Sequence, residues 1–262
     1  MYFKNIKNIF FSFEMLFVLF LYSGAIKSAK FLSWLPVDLT ILMLLLSITT
    51  GFYFFLKSNF KFRLNKSMLI MNILVGFLFT WVLASVLWSL SADYALSKAI
   101  NIIILGGWSF FAGVFIVGSS IERVKRFFSL VAIFGLLFSM QFIFLGTEYD
   151  QYSVVQNLSN DYIRTSIIIS TTLLLFSIYY FMQINKSNIK NIFLILIQLY
   201  LLILVFSLGA KGPLVALFVS YVVLFLYLRN PQKKSFSYRK TKKTFYLFAG
   251  IVIFLSLIDY EQ

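Results

Sequence analysis

Residues 67–88 read SMLIMNILVGFLFTWVLASVLW, and no charged side chain interrupts them. About 20 apolar residues cross the hydrocarbon core of a bilayer as a helix, so this stretch is long enough for one crossing. It is too long and too evenly apolar for a strand or for a surface helix of a soluble domain. Segments of the same kind recur along the chain at 8–26, 35–56, 99–118, 127–146, 165–183, 191–208, 213–228 and 244–258. Over 262 residues, 61% of side chains are hydrophobic, only 12% are charged, and the mean hydropathy is +0.91. Soluble domains run near 45–50% apolar and about 25% charged. The expected fold is therefore all-α: a polytopic helical membrane protein with about nine transmembrane helices in a single transmembrane domain, residues 1–262. No length remains for a separate soluble catalytic domain.

The charges predict an orientation. With the N-terminus in the cytoplasm, the inner segments hold Lys4, Lys7, Lys57, Lys61, Arg63, Lys66, Arg123, Lys125, Arg126, Lys186 and Lys190. The last inner loop adds Arg229, Lys233, Lys234, Arg239, Lys240, Lys242 and Lys243. Only Lys27, Lys30, Lys98, Arg164 and Lys211 fall outside. Cytoplasmic loops carry the excess of Lys and Arg, so the reading is N-terminus cytoplasmic and C-terminus external. Most acids fall on the outer side, with Glu122 inside and Glu14 within the first segment. That segment resembles a signal peptide at its start, but Glu14 and the following spans favour an uncleaved helix. The net charge of +14 then reflects topology and contact with anionic lipid, including the run 229–243, rather than nucleic acid. Asn-x-Ser sequons at Asn65, Asn157 and Asn185 read as chance. Heavy use of Phe, Ile, Asn and Lys fits an AT-rich bacterial gene.

The chain has no Cys and no His. Disulfides, thiolate metal sites and cysteine nucleophiles are excluded, as is the commonest general base. No metal site and no cofactor are expected. With few Pro, no inverted pair of broken segments and no evident pair of buried opposite charges, the spans read as unbroken and without a proton relay.

Three outer features stand out. The first is Trp88-Ser-Leu-Ser-Ala-Asp93-Tyr94-Ala-Leu-Ser-Lys98. Its plain reading is an aromatic belt closing a span, with Ser91 capping a short turn. The second is the outer loop 147–164, which holds Glu148, Asp150, Asp161, Tyr162 and several amides and ends in Arg164. Tyr faces, amides and carboxylates suit carbohydrate, and a solvated loop has the same composition. Arg164 can hold a diphosphate with its planar fork, or snorkel to the interface as an anchor. The third is Ser207-Leu-Gly-Ala-Lys211-Gly-Pro213, a tight hairpin with one cation at its tip and Pro213 opening the next span. A cation at a helix N-terminus opposes the macrodipole; an anion bound between Lys211 and the first free N–H groups would resolve the conflict. Simple exposure to water also explains Lys211. Glu14 reads as a protonated, paired or cavity-lining acid.

Together these stretches resemble the bacterial O-antigen polymerase and ligase family. Trp88–Lys98 resembles its W-S-x-S-x-x-Y-A-x-x-K stretch. Asn160-Asp-Tyr-Ile-Arg-Thr165 is similar to its segment opening a span. Phe206-Ser-Leu-Gly-Ala-Lys-Gly-Pro-Leu214 resembles its S-x-S-R-G-P/A hairpin. The resemblance covers roughly residues 10–258. It implies a metal-independent glycosyltransferase in the bacterial cytoplasmic (inner) membrane, working on undecaprenyl-diphosphate-linked oligosaccharide repeats in surface polysaccharide or lipopolysaccharide biosynthesis. An acceptor hydroxyl would attack the anomeric carbon while the lipid diphosphate leaves. Arg164 and Lys211 would bind the diphosphate, and Asp93, Glu148, Asp150, Asp161 and Tyr162 the glycan. Membrane lipid is a partner; a chain-length regulator is left open, and no nucleic acid is expected. The chain departs from the family in having Lys211 where Arg is usual, and in lacking a later outer loop with a His motif. On that reading the chain is the N-terminal part of the family fold, impaired as it stands. The alternative is a lipid-linked oligosaccharide flippase or other multipass transporter; a non-catalytic scaffold docking through 229–243 is the third.

Overall fold

The structure, a computed structural model, describes residues 12–27, 38–57, 66–145, 161–183, 188–209 and 211–229. Every regular element among them is helical. In chain order these are α1 (Phe13–Lys27), α2 (Leu39–Lys57), α3 (Lys66–Ser85, continued by a 3₁₀ turn Val86–Trp88) and α4 (Ala92–Ser119). There follow α5 (Ile121–Leu145), α6 (Asp161–Gln183), α7 (Asn188–Ser207) and α8 (Lys211–Arg229). Each falls on one of the apolar segments of the sequence; the ninth segment, 244–258, lies outside the described residues.

Among the described residues, three stretches are long and apolar enough to cross a membrane: Leu39–Lys57, Met68–Trp88 and Ala92–Ser119, of 19, 21 and 28 residues. At 1.5 Å per residue they measure about 28, 32 and 42 Å, against a hydrocarbon core of about 30 Å. The apolar parts of α1, α6, α7 and α8 are shorter. None of the apolar window of α3 is buried, and Phe77 is 74% exposed. An unbroken apolar surface of this extent suits hydrocarbon rather than water.

Two starting points differ from the sequence reading. Helix α4 begins at Ala92, so Asp93–Lys98 form its first turns rather than a separate short turn. Helix α5 begins at Ile121, so Glu122, Arg123, Lys125 and Arg126 are helical rather than loop residues. Apolar patterning marks where a helix enters hydrocarbon, whereas the backbone ladder starts at the nearest cap, here Ser120, whose hydroxyl accepts from the Arg123 N–H at 3.3 Å. Nor is α4 regular: it passes through π turns at Ile102–Gly106 and Ala112–Ile116.

The chain forms two compact units, residues 1–130 and 131–262. The first has an aromatic core of Phe13, Phe17, Phe20 and Phe55 with Ala112, Ile116 and Val117. Phe55 and Phe111 have ring centroids 5.1 Å apart, and Phe17 and Phe127 5.6 Å. Close approach depends on Gly51 of α2. A Cβ there would lie 2.8 Å from the Trp108 ring, 3.0 Å from Ile116 and 3.1 Å from Phe13. One turn away, the Trp108 indole donates to Ser47 Oγ at 2.8 Å. These contacts gather the N-terminal end of α1, the C-terminal ends of α2 and α4 and the N-terminal end of α5 at one end of the unit. Lys57, Arg123, Lys125 and Arg126 therefore share that end.

The second unit packs α6, α7 and α8 around Ile169, Leu173, Leu201, Leu202, Val205, Leu217 and Tyr221. Polar bonds tie its helices together. Ser177 and Tyr221 share a hydrogen bond of 2.5 Å, Gln198 donates to the Phe176 carbonyl at 3.2 Å, and Tyr200 donates to the Ser139 carbonyl at 2.7 Å. Such bonds and small residues are what hold helices together where lipid removes the hydrophobic drive. Gly135 lies four residues before Ser139, and a Cβ on it would collide with the Thr172 hydroxyl of α6.

Gly135→Ala is expected to cost about 1–3 kcal/mol through overpacking. A lowered Tm of the detergent-purified chain, partly restored by adding Thr172→Ala, would demonstrate this contact.

Candidate functional site

The second unit positions two of the candidate residues. Helix α7 ends in a turn in which Leu208 N–H donates to the Leu204 carbonyl (3.1 Å) and Gly209 N–H to the Phe206 carbonyl (2.9 Å). Gly209 has φ +62°, the left-handed conformation that glycine adopts without penalty at a helix C-terminus. This turn reverses the chain and starts α8 at Lys211, which is exposed. Lys211 is thus the first helical residue rather than the tip of the loop. Pro213 sits in the first turn, where its missing N–H breaks no helical bond.

Helix α6 opens at Asp161, so the backbone places Asp161, Tyr162 and Arg164 in its first turn. The Ser177–Tyr221 bond fixes the relative height of α6 and α8. Both run in the same direction, because α7 returns between them. Arg164 precedes Ser177 by thirteen residues and Lys211 precedes Tyr221 by ten, which is about 20 Å and 15 Å of helix. The two basic positions therefore sit at the same end of the unit and within about 5 Å of each other in height. Two helix N-termini, each with a partial positive charge, open at that end.

The remaining candidates are not brought to these two. Asp93 belongs to the first unit, exposed in the first turn of α4, where a carboxylate complements the helix dipole. Ser91 is the N-cap residue, with extended backbone but no side-chain cap bond. Ser89 instead organises the turn, its hydroxyl accepting from Ser91 N–H at 3.4 Å. Trp88 packs edge-on to Trp81 at 5.8 Å, and the Lys98 ammonium lies 5.3 Å from the Tyr94 ring centroid. The motif is built as an aromatic belt with a helix start. Glu148 and Asp150 lie outside the described residues.

The structure also reveals polar groups that sequence patterning missed. Glu14 is 2% exposed, and its Oε1 lies 3.7 Å from Arg123 Nε and 3.9 Å from Arg126 Nη2. The Arg123 guanidinium lies over the Phe54 ring, 3.7 Å from its centroid. Of the alternatives read for Glu14, the structure shows the paired one, with Arg123 and Arg126 of α5 as partners that the sequence did not make evident. The signal was present in part: a lone acid in an apolar segment needs a counter-charge, and Arg123 and Arg126 share a face at i,i+3. In α6, the Ser166 and Ser170 hydroxyls are buried without a hydrogen-bond partner.

Removing one member of a buried charge cluster strands the others. Glu14→Gln should therefore lower the Tm, and Arg123→Gln added to it should recover part of the loss. A double-mutant cycle with a coupling of about 1–3 kcal/mol is expected; additive effects would show that the charges do not interact.

Against known proteins, no family model matches the chain, and neither a curated protein nor a solved structure matches it.

Proposed function

We propose that the chain is a membrane glycosyltransferase of the O-antigen polymerase and ligase type, embedded in the bacterial cytoplasmic membrane through about nine spans with its N-terminus inside. The observation that carries this reading is the placement of Arg164 and Lys211 at the open N-terminal ends of two parallel helices. Asp161 already offsets part of this charge at α6, whereas α8 has no acid in its first turn, and a lipid-linked diphosphate is an anion of the class that such a helix N-terminus beside a cation takes. The three short motifs, in family order and on one topological side, add to that.

In this reading an acceptor sugar hydroxyl attacks the anomeric carbon of the lipid-linked repeat. A glycosidic C–O bond forms, the C–O bond to the diphosphate breaks, and the hydroxyl proton leaves. Arg164 and Lys211 stabilise the charge that develops on the departing diphosphate. Asp93, Glu148, Asp150, Asp161 and Tyr162 are the proposed glycan contacts, with no metal and no cofactor.

A second reading, a flippase or other multipass transporter, draws on the Glu14–Arg123–Arg126 cluster, since charges buried within apolar helices mark transport and relay pathways. Surface glycan separates the two. In a strain lacking the gene, a polymerase defect leaves single repeat units at the surface, whereas a flippase defect leaves none. Complementation with Arg164→Ala or Lys211→Ala should cut polymer length or yield at least about tenfold, the loss of about 1.4 kcal/mol or more of charge stabilisation. Lys211→Arg should retain it. Unchanged polymer in both alanine variants would refute the diphosphate role.

A further inference from the structure

The first unit carries a positive cluster that the proposed chemistry does not use. Arg123 and Arg126 stand one turn apart at the start of α5, both beside the single carboxylate of Glu14. Their approach distances, 3.7 and 3.9 Å, exceed hydrogen-bond range, and Glu14 Oε1 has no hydrogen-bond partner. Arg123 Nη1 is buried and likewise has none. Two guanidinium groups thus share one buried carboxylate, leaving a net positive charge and donors without acceptors. Glu122, on the same helix, is exposed and pairs with neither. The Arg123 side chain is 18% exposed and Arg126 is 38% exposed, so the cluster opens to the outside through Arg126. Phe54, under the Arg123 plane, holds that group in place.

The cluster also lies at one end of the apolar helices rather than midway along them. The end of the unit that gathers Arg123 and Arg126 is the end at which α2 terminates in Lys57 and α5 begins. A guanidinium matches phosphate oxygens with paired donors, and partial desolvation beside apolar helices strengthens the pairing.

We propose that Arg123 and Arg126 form a binding site for a phosphate group, that of an anionic membrane phospholipid, with Glu14 holding the two guanidinium groups in place. The site is independent of the diphosphate reading at α6 and α8. A phosphate oxygen bridges the Arg126 edge and the inner guanidinium and supplies the acceptors that the carboxylate alone does not.

The test is the thermal stability of the full chain in neutral detergent on titration with phosphatidylglycerol, with phosphatidylcholine and with inorganic phosphate. Phosphatidylglycerol should raise the Tm saturably. Arg126→Gln should weaken that response about fivefold or more, the effect of one basic contact at a membrane surface. Arg126→Lys should keep part of it. Lys125→Gln, which removes an exposed cation of the same helix, should leave it intact. A comparable shift with inorganic phosphate alone would keep the site and assign it to soluble phosphate. Equal responses to phosphatidylcholine and phosphatidylglycerol, or equal losses in Lys125→Gln and Arg126→Gln, would overturn the proposal in favour of unspecific surface charge.

Discussion

Hydrocarbon offers no hydrogen bonds, and a chain with so few polar side chains must satisfy its backbone within itself. That constraint accounts for the uniformly helical structure and for much of its finer detail. Hydroxyl side chains in the helices bend back onto their own ladders. Thr50 donates to Leu46 (2.7 Å), Thr80 to Gly76 (2.9 Å), Thr171 to Ile167 (2.7 Å) and Ser220 to Ala216 (2.8 Å). Against that habit, the buried hydroxyls of Ser166 and Ser170 make no such bond, whereas Thr172 and Ser177 of the same helix do.

Without a hydrophobic drive between helices, association falls to shape and to the few polar bonds that cross. The two units solve this differently. In the first, aromatic rings fill the space and Gly51 lets them close on α2, with the Trp108–Ser47 bond as the polar tie. In the second, Gly135 admits Thr172, and Tyr200, Gln198 and Tyr221 reach across to carbonyl or hydroxyl partners. The result in the second unit is a fixed height between α6 and α8, which is what brings Arg164 and Lys211 to one level.

Cations at helix N-termini link the two sites argued above. Arg123 in α5, Arg164 in α6 and Lys211 in α8 all stand in a first helical turn, where the macrodipole is positive. Acids suited to the dipole stand there too: Asp93 in α4, Glu122 in α5 and Asp161 in α6. Where a cation is added, as in these helices, a further carboxylate or a bound anion can offset it, and α8 has no acid of its own in the first turn. For α5 part of that offset is visible as Glu14; for α6 and α8 the proposed diphosphate supplies it.

The apolar segments were legible in the sequence because a bilayer reads length and hydropathy, both of which are one-dimensional. Eight of those segments coincide with helices among the described residues. The hairpin before α8 was legible too, since a tight reversal after an apolar run calls for a glycine such as Gly209. Helix starts at Ala92 and Ile121 were not, because capping begins outside the apolar stretch that hydropathy detects. The pairing of Glu14 with Arg123 and Arg126 spans more than a hundred residues and leaves no periodic trace, so only packing of α1 against α5 reveals it. The levelling of Arg164 with Lys211 likewise depends on how α6 and α8 pack, through their shared core and the Ser177–Tyr221 bond. Local composition decides which residues enter the membrane; which charges meet is decided by how the helices pack, because Coulomb and hydrogen-bond terms act across space and not along the chain.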